Sequence, residues 1–187
     1  MSAAVAPRPT GRWSSPTIDD RVGPGERRWP AEGRPAIILP EPPPAWSDFD
    51  ALRRMAESML ASRRESFPHR VAAGELAPEA AARELRAFAD LLRDWEFIVF
   101  GEGEPASPAS EQDRRDALDQ AITRLAAYAA KHGGFSVQLE DQAQLVIALR
   151  WHCEPGRRTL AFARLTHELR VEARAQQPLP QGKPAHV

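Results

Sequence analysis

The chain lacks most of the residues and patterns that would give it a simple functional assignment. It holds one cysteine, Cys153, so no internal disulfide can form and a reducing compartment is implied. Lysine occurs only at Lys131 and Lys183, which leaves arginine to carry nearly all the positive charge. No run approaches the roughly 18 apolar residues of a membrane-spanning helix. The opening "MSAAVAPRPTGRW" has no apolar core of a secretory signal. A net charge of −1 gives the whole molecule no electrostatic pull towards nucleic acid or membrane. These absences lead to the expectation of a cytoplasmic protein that does not engage membranes.

Chemical motifs are missing as well. There is no C-x-x-C, no G-x-S-x-G, no phosphate-cradling glycine loop and no dinucleotide fingerprint. Among His69, His132, His152, His167 and Cys153 no pair has the i, i+4 spacing of helical metal ligands, so no metal or other cofactor is expected. Cys153 lies in an apolar segment and reads as a small hydrophobe, since neighbouring His152 leaves a helix on a different face. No catalytic residue emerges, and the chain is expected not to be an enzyme.

What is present divides near residue 46. Ten of the 18 prolines precede Trp46, and residues 1–46 mix Pro, Gly, Arg and acids with little periodicity. Such a segment cannot bury enough apolar surface to offset the entropy of ordering, so a disordered leader is expected. Within it, "AIIL" (36–39) is a compact apolar tetrapeptide and "PEPPP" (40–44) favours polyproline II. Trp13, Trp29 and Trp46 lie in or beside the leader and are candidate partner-binding residues, because an aromatic left in water gains most by folding onto another surface.

Residues 47–174 read as a helical domain, with a disordered tail over 175–187. A first helix is expected over 47–67, capped by Ser47 and carrying Phe49, Leu52, Ala56, Met59 and Arg63 on one stripe. Pro68 should end or kink it, and Gly74 supplies a left-handed turn. A second helix over 78–97 starts at Pro78 and aligns Ala81, Leu85, Phe88, Leu92 and Trp95, so the two should form a hairpin. Its charged residues, Glu84 and Asp94 among them, read as a solvated face. A third helix over 111–132 aligns Leu118, Ile122, Leu125 and Ala129 and stops at Gly133-Gly134. Beyond that, "FSVQL" (135–139) alternates like a strand, whereas 141–153 keeps helical spacing. The fold class is therefore all-α, a bundle of four to five helices. The alternative is α+β with a small hairpin at 135–151. A last helix, 159–174, should pack through Phe162, Leu165, Leu169 and Ala173.

From Phe67-Pro68 through Val71, Gly74 and Ala80–Ala82 to Asp94-Trp95, the chain resembles a pattern in small uncharacterised helical proteins of bacterial and prophage genomes. The resemblance covers less than a fifth of the chain and implies no activity.

Positive charge collects at the end. Residues 156–187 carry Arg157, Arg158, Arg164, Arg170, Arg174 and Lys183 against Glu168 and Glu172, a balance of +4. The five arginines are candidate nucleic-acid contacts along the last helix. The function expected is a non-enzymatic interaction or accessory protein, with prophage genomes as a setting, that binds a protein partner through the leader or a bundle groove. The alternative is a nucleic-acid-associated regulatory factor using the basic helix. Self-association is compatible with either.

Overall fold

The computed structural model describes residues 26–31, 34–40 and 42–176. Trp13 and the tail 177–187 lie outside the described residues, as does the side chain of Trp29. Five helices build the body: α1 (Phe49–Ala72), α2 (Pro78–Phe100), α3 (Glu111–Lys131), α4 (Val137–His152) and α5 (Thr159–Ala175). No strand occurs within residues 42–176.

Ahead of the body, strand β1 (Glu26–Ala31) pairs antiparallel with β2 (Arg34–Pro40), with Trp29 opposite Ile37. The two strands form a hairpin within the segment that precedes the body. Its second strand contains the "AIIL" tetrapeptide, whose β-branched isoleucines favour extended backbone.

Helix α1 starts one residue later than the sequence implied, because the Asp48 carboxylate accepts a hydrogen bond from the Ala51 amide at 3.0 Å. It also runs straight through Pro68 to Ala72 before Gly74 turns the chain at φ 72°. Proline removes only one intrahelical bond, and one turn from the end that loss is tolerated. Ala77 and Pro78 open α2, and Gly101, at φ 74°, closes it.

The first four helices form a ring in which each packs on the next and α4 returns to α1. Leu52, Phe88, Leu118 and Leu149, one from each helix, are wholly buried at its centre, with Trp95 beside them. Each such side chain contributes about 1.5–3 kcal/mol through removal from water. The seams expected on α1 and α3 are used in part: Leu52, Ala56 and Met59, and Leu118, Ile122 and Ala129, are buried, whereas Phe49 is exposed and Leu125 half-buried. On α2 the buried side has turned towards Glu84, Ala87, Phe88, Leu91 and Trp95, leaving Leu85 and Leu92 half-buried.

Charges fill the corners of this ring. Glu84 is buried, contrary to the solvated face expected of it. It accepts from Arg63 Nε at 2.8 Å and from both Nη atoms of Arg124 at 2.7 and 3.1 Å. Asp94, also buried, accepts from the Ala106 amide at 2.8 Å and faces Arg114 Nε at 3.4 Å. The guanidinium of Arg150 meets both carboxylate oxygens of Asp119 at 2.9 and 3.3 Å, tying α4 to α3.

Two expectations are corrected near the C-terminus. "FSVQL" is no strand: Ser136 Oγ accepts from the Leu139 amide at 3.2 Å and starts α4, so the hairpin alternative at 135–151 is overturned. A five-residue alternation cannot be told from the capped first turn of a helix by period alone. Helix α5 does not pack through its apolar side. None of its residues is buried, and Phe162, Leu165 and Leu169 are 63%, 52% and 55% exposed.

Candidate functional site

The last helix rests on the body through its other side. Its half-buried residues are Thr159, Leu160, Ala163 and His167, which recur at helical spacing. The His167 ring lies edge-on to Phe97 with 5.6 Å between centroids, and its Nε2 is 3.2 Å from the Ile98 carbonyl oxygen. The backbone comes close enough here that a Cβ on Gly101 would stand 2.5 Å from His167 Nδ1. Glycine therefore serves twice at this position, by its left-handed φ and by the missing side chain.

The turn into α5 is fixed by His152. Its Nε2 lies 2.7 Å from the Trp46 carbonyl oxygen, and its Nδ1 lies 2.8 Å from Thr159 Oγ1. One neutral tautomer satisfies both contacts: Nε2–H donates to the carbonyl, and Nδ1 accepts from the hydroxyl. Burial pushes the His152 pKa down from its ordinary value. The Trp46 carbonyl works against that shift, and the positive charge of Arg157 adds to it. Rings surround the imidazole edge-on, with Trp95 at 5.1 Å, Trp151 at 4.8 Å and Phe49 at 6.0 Å.

Between this aromatic cluster and α5 runs a cleft of about 520 Å³. Trp46, Phe49 and Trp151 line it together with Arg157, Arg158 and Arg170. Trp46 meets Trp151 edge-on at 5.9 Å and remains 40% exposed. Arg157 lies 3.9 Å over the Trp151 ring and pairs with Glu154 at 3.3 Å, so its charge is partly used within the wall. Arg158 and Arg170 are exposed and have no acidic group within 4 Å among the described residues. Asp50 is the carboxylate in the lining. The volume falls in the usual range of binding clefts. An arrangement of rings beside unpaired guanidinium groups suits a ligand that is flat or apolar on one side and negative on the other.

The five arginines of the expected basic stripe are not gathered together. Arg157, Arg158 and Arg170 border the cleft. Arg164 lines the opposite groove of α5 with Glu168 and Glu172, beside the loop that follows Gly101. Arg174 is exposed near the helix end. Of the three leader tryptophans, Trp46 joins the cleft wall, while Trp13 and the Trp29 side chain lie outside the described residues. Sequence reasoning missed Phe49, Trp151 and His152 as cleft residues. Phe49 falls on the expected α1 core stripe, and Trp151 falls within the helical spacing of 141–153. The crowding of Trp151, His152, Arg157 and Arg158 into eight residues was the available signal.

Cys153 borders a smaller cleft of about 160 Å³ with Asp94, Arg114 and His152. Burial pushes its thiol up to about 12, so the nucleophilic thiolate is scarce at neutral pH. His152 already uses both ring nitrogens elsewhere. Among the described residues no cluster of three or more His, Cys, Asp or Glu is placed to hold a metal ion, and no helix is long and apolar enough to cross a membrane. Compared with protein-family models, curated proteins and solved structures, the chain matches none of them.

Proposed function

We propose that this chain is a non-enzymatic interaction or accessory protein whose helical bundle presents the Trp46–Trp151 cleft to a protein partner. The observation that supports this reading is the composition of the cleft. Tryptophan and arginine are the residues that most often dominate binding energy at protein interfaces, and here both are held exposed by a rigid support. The partner segment would insert an aromatic or aliphatic side chain against Trp46 and Phe49. It would set carboxylates against Arg158 and Arg170, the cleft guanidinium groups that have no ion pair within 4 Å among the described residues. The resemblance of residues 67–95 to small bacterial and prophage proteins adds a setting for such a role without adding an activity.

The test is capture from cell extract with the full chain and with the double variant Arg158→Glu/Arg170→Glu. Both side chains are exposed, so the variant keeps the fold. A partner held by the cleft should bind at least about tenfold more weakly to the variant, and raising salt should weaken binding to the unaltered chain. Equal capture by both proteins would eliminate the cleft as the contact.

The second reading, nucleic-acid association, is supported by Arg158, Arg164, Arg170 and Arg174 all being exposed along α5 and its N-cap, without ion pairs within 4 Å among the described residues. Short duplex DNA in a gel shift decides it. Phosphate contacts by Z arginines give a log–log salt slope of about −0.9Z, and no retardation at low salt removes this reading.

A further inference from the structure

An amphipathic helix ordinarily turns its apolar stripe inward, and α5 does the reverse. Its seat on the body is made by Thr159, Leu160, Ala163 and His167. At about 100° per residue, Leu165 points almost directly away from that seat, with Phe162 one turn before it and Leu169 one turn after it, both turned towards the cleft side. All three are more than half exposed. The spacing 162, 165, 169 is that of one helix pressed against another.

We infer that this outward stripe is the contact for a second copy of the same chain, with the two α5 helices antiparallel across a two-fold axis near Leu165. The charge pattern selects that occupant. Along the flank beside the stripe, Arg164 lies towards the N-terminal half of α5, and Glu168 and Glu172 lie towards the C-terminal half. A two-fold axis perpendicular to the helices brings the same flank of each helix together in reversed order. Arg164 of one copy then meets Glu168 of the other, and Phe162 meets Leu169. The helix is thus complementary to itself run backwards. A parallel arrangement would set arginine on arginine and glutamate on glutamate. Antiparallel alignment also pairs opposite ends of the helix dipoles, and a net charge of −1 leaves little long-range repulsion between copies.

None of these three charged residues has an ion pair within 4 Å among the described residues, so each is available to a neighbour. The surface is distinct from the aromatic cleft, apart from Phe162 on their common rim. Helix α5 has 17 residues, a length of about 25 Å at 1.5 Å per residue. A pair of such helices buries less than the roughly 1,200 Å² typical of stable complexes. The dimer is therefore weak and its formation depends on concentration.

Sedimentation equilibrium of the full chain between about 5 and 500 μM tests this. The weight-average mass should climb from 20.7 kDa towards twice that value. Leu165→Glu and Leu169→Glu should each hold the mass at the monomer with unchanged far-UV dichroism. Arg164→Glu and Glu168→Arg should each be monomeric alone, since each sets like charges together in its own dimer. Mixed one to one they should associate again, because both contacts then become opposite in sign. A wild-type protein that stays monomeric throughout overturns the proposal. So does a dimer that survives Leu165→Glu, or a mixture of the charge variants that does not recover. The four variants leave Trp46, Arg158 and Arg170 intact, so failure here is separable from failure of the cleft reading.

Discussion

Glu84 occupies a position where opposing effects can be weighed. Burial alone would raise the pKa of its carboxyl group, yet the hydrogen bonds from Arg124 and Arg63 prevail and hold it below the ordinary carboxylate value. The two arginines are not equivalent. The Arg63 side chain is 11% exposed and lies 3.7 Å over the Phe88 ring, whereas Arg124 is 46% exposed. Losing the carboxylate would leave Arg63 charged and buried without a counter-charge, held only by the Met59 carbonyl and the Phe88 ring. Glu84→Gln should therefore cost about 3 kcal/mol in urea unfolding, while Arg124→Gln should cost less than about 1 kcal/mol because water screens the exposed guanidinium. Equal costs would show that the clamp is not organised around Arg63. The sequence hinted at half of this arrangement, since Arg63 fell on the apolar stripe of α1. Its partner stayed hidden, because Glu84 sits among alternating charges that look like any wetted helix face. Only the packing of α1 and α3 against α2 encloses it.

At the level of helices, apolar spacing located each one within a few residues because the bundle buries one side of α1, α2 and α3, and caps mark their ends. The start of α4 was missed because its cap, Ser136, lies inside an alternating run. The orientation of α5 was missed for a deeper reason. An amphipathic pattern fixes which residues share a side, but not whether that side meets the core. The seat of α5 depends instead on a close backbone approach at Gly101, which amphipathic spacing does not reveal. Gly101→Ala should strain the left-handed backbone by about 1 kcal/mol and drive a Cβ into the His167 ring. Amide exchange in α5 should then quicken while α1–α4 keep their protection. Unchanged protection of α5 would mean that its position does not depend on this contact.

For the molecule as a whole, the candidate site joins segments far apart in the chain. Trp46 and His152 meet across 106 residues, and no spacing rule reaches that far, which is why the cleft was illegible while its individual residues were in plain view. The same junction makes stability depend on pH. Burial keeps the His152 pKa in the folded protein below the ordinary 6.5, so folding favours the neutral ring. Its contribution is complete above the unfolded value and is lost as pH falls below it. Glu84 has the same sign at lower pH, where its contribution disappears as the carboxylate is protonated. Asp94 has the opposite sign, since burial raises its pKa. Urea midpoints should therefore drop between about pH 7.5 and 5.5, and His152→Gln should flatten that limb; an unchanged slope in the variant would assign it to another group.

Because α5 buries no residue of its own, what the molecule displays is separable from what keeps it folded. Phe162, Leu165 and Leu169 can be exchanged for other side chains at little expense to the ring of four helices beneath. The surface can thus acquire or abandon a companion while the scaffold stays as it is.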